Sequence, residues 1–225
     1  KIFGAGTPTI TIKGGGLLSA KENSYQTMPD RIDTGSFLIL GALAAKKIRI
    51  INCNPAHLES PIEMLRSAGV SIETKKNEII VCAPQKINPL NVKTHEYPGF
   101  PTDLQAPMTV FLTQAEGESM VFETIFEGRL NYTEVLSSMG ALFVTMDPHR
   151  ILVQGKTKLR GKKLMSPDLR AGLAFLIAAI VANGESVVHN INTTIDRGYE
   201  EIENRLRDIG VDIKRVRQSE ETSSN

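Results

Sequence analysis

The sequence predicts an α/β domain of three helix-and-strand repeats arranged around a pseudo-threefold axis. One observation is a repeated helix end, closed by glycine and followed by a strand, at Leu65–Gly69, Leu136–Gly140 and Leu206–Gly210. The closing glycines are 71 and 70 residues apart, and a glycine in this place can adopt the left-handed conformation that ends a helix. A second observation is that helices and strands alternate within each period, which is typical of stacked α/β units.

Each repeat also contains a mostly apolar helix that precedes a strand. These helices are predicted over Phe37–Ala44, Met108–Gln114 and Leu173–Ala182. Because a helix that is apolar on every side must be covered on every side, we expect the three to form the centre of the domain. The strands expected after the closing glycines are Val70–Ile72, Ala141–Phe143 and Val211–Ile213.

The repeats span residues 30–217, and the two ends of the chain lie outside them. The start, Lys1–Gly4, begins in the middle of a pattern, so we expect residues 1–29 to be the tail of a missing N-terminal domain and the connection from it. The polar, Ser-rich residues 218–225 are expected to be disordered. If residues 1–29 belong to another domain, some of their apolar side chains would be exposed. These include Ile10, Ile12, Leu17 and Leu18.

Charge and composition exclude several classes of function. The chain of 225 residues carries 26 basic and 25 acidic side chains, and this net charge of +1 provides no field for nucleic acid or a membrane surface. The longest apolar run, Ala171–Ala182, is too short to cross a bilayer. Two cysteines and four histidines show neither disulfide nor metal-ligand spacing. We therefore expect a cytoplasmic protein without a metal, a cofactor, a nucleic-acid partner or a membrane partner.

The starts of the three buried helices are the first candidate functional positions. They read Asp30–Gly35, Phe100–Asp103 and Pro167–Arg170. Three helix N-termini near one axis would suit an anion, and a carboxylate there could act as a base. The alternative is that each Asp only caps the backbone of its own helix.

The loop between the strand and the glycine-closed helix of each repeat is the second candidate position. It carries Arg129 in the second unit and Arg197 in the third, where the loop is three residues longer around Asp196–Gly198. Arginine suits two-point binding of a phosphate or carboxylate. The alternative is a surface arginine, with Arg197 paired to Asp196 or Glu200.

Arginines and aspartates from these equivalent places could gather at one face of the domain. Arg129, Arg170 and Arg197 would supply positive charge there. Asp103 and Asp168 would supply carboxylates. Such a set predicts a site for an anionic substrate with a base built into it.

Five stretches of the sequence carry a resemblance to a known family. They are Pro29–Gly35, Phe100–Ala106, Glu123–Arg129, Asp168–Ala171 and Ile195–Glu200. They resemble the UDP-N-acetylglucosamine enolpyruvyltransferase family, occur in the family's order and cover nearly the whole chain. The resemblance implies an enolpyruvyltransferase-type fold, an inside-out α/β barrel in which each of two domains is built from three helix-and-strand repeats. Where this chain has Gly128, the family carries Asn or a related residue.

The same resemblance implies an activity and assigns roles to residues. The activity is transfer of the enolpyruvyl group of phosphoenolpyruvate to the 3'-hydroxyl of UDP-N-acetylglucosamine, with release of phosphate, in early peptidoglycan synthesis. Asp103 would be the base and Arg197 would hold phosphoenolpyruvate. Arg170 and Arg129 would add positive charge, and Asp168 would lie in the same cleft. Residues that would contact the sugar nucleotide or border the cleft are Thr102, Ile125, Phe126, Leu169 and Asp30.

Part of the implied active site belongs to the missing N-terminal domain, which would be a partner of this chain. The family's reactive cysteine lies there, so Cys53 and Cys82 are expected to be structural, and the chain alone is expected to be inactive. Three alternatives stay open. They are an enzyme that acts on shikimate 3-phosphate, a non-catalytic sugar-nucleotide-binding module, and an oligomeric structural repeat domain.

Overall fold

The computed structural model describes residues 1–17, 19 and 24–216. The predicted disordered tail at 218–225 and Leu18 lie outside the described residues. The helices are α1 (Arg31–Ala44), α2 (Glu59–Ser67), α3 (Gln105–Leu112), α4 (Tyr132–Ser138), α5 (Leu169–Val181) and α6 (Ile202–Asp208). The strands are β1 (Ile2–Phe3), β2 (Thr11–Ile12), β3 (Ile48–Ile51), β4 (Ser71–Lys75), β5 (Glu78–Cys82), β6 (Asn91–Lys93), β7 (Glu118–Phe122), β8 (Leu142–Asp147), β9 (Arg150–Gln154), β10 (Lys163–Met165) and β11 (Val187–His189).

The three predicted apolar helices lie at the centre of the domain, as α1, α3 and α5. They pack on one another, and every residue of α3 is buried. Each helix begins several residues before its predicted apolar run, because polar residues near its start are also covered by the neighbouring repeats. The three-repeat α/β architecture is confirmed.

The first two repeats each place a sheet over the central helices. In the first, β5 lies between β3 and β4 and is antiparallel to both. In the second, β9 has the same place between β7 and β8, and β6 extends the sheet parallel to β7. Alternate residues of the middle strands are buried, which is the pattern of a sheet with one face on the core.

The strand predicted at Val211–Ile213 is wrong. Within residues 1–17, 19 and 24–216, β11 pairs only with β10, and residues 211–216 are in no strand. In the first two repeats the middle strand begins nine or ten residues after the closing glycine. The equivalent positions after Gly210 fall outside the described residues. An open groove of about 1830 Å³ separates residues 211–216 from β11.

The first residues of the chain form a small antiparallel hairpin of β1 and β2. Its side chains Ile2 and Ile12 are about two-thirds exposed, as expected for a segment that does not contribute to the core of the repeats. Among residues 1–17, 19 and 24–216, no helix has the length and apolar character needed to cross a membrane.

Candidate anionic-substrate site

A chain of side-chain contacts links the starts of the three central helices. Ser36 of α1 lies 2.9 Å from the Tyr199 hydroxyl. Arg170 of α5 donates to that hydroxyl at 3.4 Å and to the Asp103 carboxylate, just before α3, at 3.1 Å. The N-terminal ends of all three helices therefore lie at the same end of the domain.

The aspartates at these helix starts have two different environments. Asp30 caps α1 by accepting from the amides of Ile32 and Asp33, and Asp168 caps α5 by accepting from the amides of Arg170 and Ala171. These two fit the capping alternative. Asp103 accepts no such bond and lies inside the short 3₁₀ turn that leads into α3.

Two arginines hold the Asp103 carboxylate instead. Arg129 donates to one oxygen at 2.8 Å, and Arg170 donates to the other at 3.1 Å. The Asp103 side chain is 34% exposed, so water and small ligands can reach it. Burial alone would lower the pKa of Arg170, but Tyr199 and Asp103 outweigh it and raise that pKa above its usual value. The guanidinium is therefore permanently charged.

Arg129 and Arg170 also line a cavity of about 600 Å³, together with Arg197. Arg197 is exposed, and within the described part of the chain its side chain makes no hydrogen bond or ion pair. The alternative of a surface pair with Asp196 does not apply, because Asp196 binds Arg215. Three guanidinium groups around one small cavity attract a phosphate or carboxylate. Other predicted site residues at this cavity are Asp168, Leu169 and Phe126.

Arg215 fixes the loop that carries Arg197, and sequence reasoning missed it. It binds both oxygens of Asp196 at 2.7 and 2.8 Å, Glu203 at 2.8 Å and Asn192 at 3.2 Å. These bonds lower the pKa values of Asp196 and Glu203. The only signal in the sequence was a basic residue shortly after the last closing glycine.

The loop before Arg129 presents an aromatic ring to the cavity. Phe126 is 51% exposed, and the Arg129 guanidinium lies 4.9 Å from its ring centre. Gly128 has a φ of 66°. Asparagine tolerates this left-handed region better than most residues, so the departure from the resembled family at this position conserves the backbone conformation.

The residues that line this cavity do not include Asp103, Thr102, Ile125 or Asp30, although Asp103 binds two of the cavity's arginines. Thr102 and the amide of Ile125 are instead bound to the buried carboxylate of Glu123. Asp30 only caps α1 in this structure. Sequence reasoning gave Glu123 no role, since a glutamate at the end of a strand usually faces water.

The groove beside β11 is larger than the arginine-lined cavity, yet none of the predicted site residues lines it. We assign the site to the smaller cavity because the cationic side chains converge there.

Cys53 is buried, which raises the pKa of its thiol, and Cys82 lies in β5. No group of three potential metal-ligating side chains occurs among the described residues.

Comparison with known proteins identifies the family of this chain. The sequence profile of EPSP synthase (3-phosphoshikimate 1-carboxyvinyltransferase) matches residues 1–206. The chain belongs to the EPSP synthase family. The resemblance stated from the five sequence stretches is confirmed by curated relatives named UDP-N-acetylglucosamine 1-carboxyvinyltransferase.

Relatives of this EPSP synthase-family chain come from several bacteria. The protein from Koribacter versatilis is 40% identical over 216 residues, which are 96% of this chain and 49% of the relative. The protein from Acidobacterium capsulatum is 44% identical over 218 residues, 96% of this chain and 49% of the relative. The protein from Shewanella piezotolerans is 43% identical over 218 residues, 96% of this chain and 51% of the relative. The chain thus spans about half the length of these curated relatives.

Solved structures with the same fold include an enolpyruvyl transferase and an EPSP synthase. The enolpyruvyl transferase NikO from Streptomyces tendae has a TM-score of 0.76 at 24% identity, over 83% of this chain and 44% of that one. An EPSP synthase from Acinetobacter baumannii has a TM-score of 0.62 at 19% identity, over 85% of this chain and 44% of that one. The predicted enolpyruvyltransferase-type fold is confirmed.

Proposed function

We propose that this chain is part of a transferase that moves the carboxyvinyl group of phosphoenolpyruvate to the 3'-hydroxyl of UDP-N-acetylglucosamine. The observation that carries the proposal is the Asp103 carboxylate, held by two arginines that line a cavity containing a third, Arg197. The names of the relatives that are 40 to 44% identical favour UDP-N-acetylglucosamine as the acceptor. The reaction would belong to peptidoglycan synthesis, in the cytoplasm, and would thereby support cell shape and division.

In this reaction, Arg197 binds phosphoenolpyruvate, because its guanidinium has no partner among the described side chains and can receive a phosphate or carboxylate. Arg129 and Arg170 add positive charge beside the tetrahedral ketal intermediate, which carries the negative charges of the phosphate and the carboxylate. An anion bound there competes with Asp103 for the arginines. The Asp103 carboxylate then becomes available to the acceptor hydroxyl.

The chemistry requires one base and a source of one proton. Asp103 takes the proton of the 3'-hydroxyl. The oxygen of that hydroxyl forms a bond to C2 of phosphoenolpyruvate, and C3 gains a proton. Loss of a proton from C3 and cleavage of the C2–O bond to phosphate then restore the double bond. We propose Thr102, Ile125, Phe126 and Leu169 as contacts of the sugar nucleotide, Asp168 as a cleft residue, and Asp30 as the start of the interdomain boundary.

A second candidate acceptor is shikimate 3-phosphate. The family profile that matches residues 1–206 carries the name of that activity. The curated relatives favour the sugar nucleotide, because they match at 40 to 44% identity over about 95% of this chain. The two acceptors therefore belong in the same experiment.

We propose that the active protein is longer than this chain. Residues 1–29 would connect to an N-terminal domain, residues 30–217 would form the repeat domain, and the cleft would close between the two domains. The curated relatives are about twice as long as the matched region, which supports this arrangement. The exposed apolar side chains of the β1–β2 hairpin fit a segment that packs on another domain.

The test is phosphate release from phosphoenolpyruvate by the longer protein, with UDP-N-acetylglucosamine and shikimate 3-phosphate as separate acceptors. Release with the sugar nucleotide alone is the expected result. Release with shikimate 3-phosphate alone would reverse the assignment of the acceptor. The 225-residue chain is expected to be inactive in the same assay, and turnover by it would contradict the two-domain proposal.

A further inference from the structure

Glu123 is a fully buried carboxylate at the end of β7, with none of its surface exposed. Among residues 1–17, 19 and 24–216, none of the ion pairs within 4.0 Å includes it. A buried carboxylate without a cation is costly unless hydrogen-bond donors surround it. The donors around Glu123 therefore explain why a charged group can be kept at this place.

Four donors meet this carboxylate. The hydroxyl of Thr94 and the amides of Ile125 and Phe126 donate to one oxygen, at 3.0, 2.8 and 3.2 Å. The hydroxyl of Thr102 donates to the other oxygen at 2.8 Å. Four bonds match the total number that an ionised carboxylate can accept, with three on one oxygen and one on the other.

The donors come from two segments that flank the candidate site. Thr102 is the residue before Asp103 and begins the same 3₁₀ turn. Ile125 and Phe126 begin the loop that leads to Arg129, and Arg129 binds the other side of Asp103. Glu123 thus ties the turn that carries Asp103 to the loop that carries Asp103's partner.

We propose that Glu123 is a positioning residue that sets the distance between Asp103 and the 125–129 loop, and so aligns the acceptor hydroxyl with the base. This inference rests on the proposed function. Glu123 does not line the cavity and touches no reacting atom. Its effect is transmitted through Thr102 on one side and through two backbone amides on the other.

Two of the four neighbours, the backbone amides of Ile125 and Phe126, can only donate, so they need an acceptor oxygen beside them. In Glu123→Gln, one oxygen would become an NH₂ group that meets either the Thr102 hydroxyl or the two loop amides. The hydroxyl can rotate and accept, but the amides cannot. The remaining bonds would also lose their charge assistance, which makes such bonds about twice as strong as neutral ones. The two segments would then be free to separate.

The experiment compares Glu123→Gln with Glu118→Gln in the longer protein. Glu118 is the first residue of β7, is exposed and accepts only from the side chain of Gln154, so it is a matched control. For Glu123→Gln we expect kcat with the sugar nucleotide to fall about 100-fold, the cost of misplacing a reacting group by about 1 Å. The KM for phosphoenolpyruvate should be unchanged, because the Arg197 loop is held by other contacts.

Backbone amide hydrogen exchange gives a second readout that does not depend on turnover. Exchange at Ile125 and Phe126 should become faster in Glu123→Gln and stay at the wild-type rate in Glu118→Gln. A merely structural role for Glu123 would lower the unfolding temperature but would leave kcat per folded molecule and the KM for phosphoenolpyruvate unchanged.

The outcomes separate this inference from the proposed function. A wild-type protein without turnover on either acceptor would refute the function, while the exchange rates would still decide the role of Glu123. Wild-type kcat and exchange in Glu123→Gln would overturn the positioning role. If Glu123→Gln does not fold, Thr102→Val replaces it as a milder change that removes one of the four bonds. Wild-type kcat in Thr102→Val would then overturn the inference.

Discussion

The carboxylate of Asp103 accepts a hydrogen bond from Arg170, a residue 67 positions further along the chain at the start of a different central helix. The contact joins the second and third repeats at the end where all three central helices begin. It holds the Asp103 carboxylate against Arg170, one of three arginines that line the cavity. An anionic substrate would therefore find cationic donors there and a carboxylate that it can displace from them.

Substitution of the candidate base should abolish most of the activity without unfolding the protein. In Asp103→Asn the side chain keeps its size, but it can no longer take a proton. We expect kcat to fall by about 10² to 10⁴, the usual contribution of a general base. The measurement is steady-state phosphate release by the longer protein.

Asp147→Asn is the matched control for that substitution, because Asp147 is also paired with an arginine, Arg150, but lies in an exposed hairpin. Its kcat should equal that of the wild type. A kcat of Asp103→Asn within a factor of about three of the wild-type value would exclude Asp103 as the base.

The guanidinium of Arg197 should contribute to substrate binding and little to stability. Since it has no partner among the described side chains, Arg197→Met should leave the unfolding temperature unchanged. The KM for phosphoenolpyruvate should rise at least about tenfold, as expected for the loss of a charge-assisted bond of roughly 1.5–3 kcal/mol.

Arg207→Met is the comparison, because Arg207 is an exposed arginine of α6 that binds Asn204. Arg207→Met should leave the KM values for phosphoenolpyruvate and for the sugar nucleotide unchanged. An unchanged KM for phosphoenolpyruvate in Arg197→Met would assign the anion to Arg129 and Arg170 alone.

The three central helices could be predicted because their burial is encoded locally. Most residues of α3 and nearly every residue of α5 are apolar, and such a helix must be covered by neighbours on every side. The convergence of Asp103, Arg129 and Arg170 could be anticipated for a related reason. Equivalent places in a repeat fold return to the same end of the domain.

Other features depend on contacts that the local sequence does not encode. Glu123 is buried only because Thr94 and Thr102, which lie 29 and 21 residues away, supply donors. The prediction of a strand at 211–213 was wrong for the opposite reason. Its pattern was suitable, but a strand needs a neighbour, and the described residues provide none at that edge.

The close approach of α1 to the Asp103 turn depends on Gly35. A Cβ added at this position would collide with the side chain of Leu104 and lie 3.2 Å from Leu58. Ala is favoured over Gly inside a helix by about 1 kcal/mol, whereas overpacking a core costs about 1–3 kcal/mol. We expect Gly35→Ala to lower the free energy of unfolding by up to about 2 kcal/mol, as measured by urea titration.

Gly14→Ala is the control for this substitution, since no atom lies within 4 Å of the added carbon. Because Leu104 follows Asp103 in one turn, Gly35→Ala should also reduce kcat. A more stable Gly35→Ala variant would show that α1 can move away from the turn at little cost.

The hydroxyl of Tyr199 connects α1 to Arg170, and burial raises its pKa. In Tyr199→Phe, Ser36 still donates to the carbonyl of Ile32 and Arg170 still binds Asp103. We therefore expect a loss of about 1 kcal/mol in the free energy of unfolding, the net value of one hydrogen bond.

Urea titration measures this loss, with the exposed Tyr97→Phe as the comparison. A loss of about 3 kcal/mol or more would mean that removal of the hydroxyl leaves a buried donor or acceptor without a partner.

The contacts of Arg215 should make stability depend on pH in the acidic range. Its hydrogen bonds lower the pKa values of Asp196 and Glu203 in the folded protein. The unfolded chain has ordinary values near about 4 and so binds more protons at that pH, which means that stability rises with pH there. The contribution is complete above the unfolded-state pKa values and is lost as the pH falls through the lowered values of the folded state.

Arg215→Gln should therefore be less stable than the wild type at pH 6, with a difference that shrinks as the pH falls below about 4. Thermal unfolding at pH 6, 5, 4 and 3 measures this difference. Lys214→Gln, an exposed neighbour, should follow the wild type at every pH. Because Asp196 precedes Arg197, Arg215→Gln should also raise the KM for phosphoenolpyruvate. A stability difference that is the same at all four pH values would mean that Arg215 acts through packing and not through its bonds to the two carboxylates.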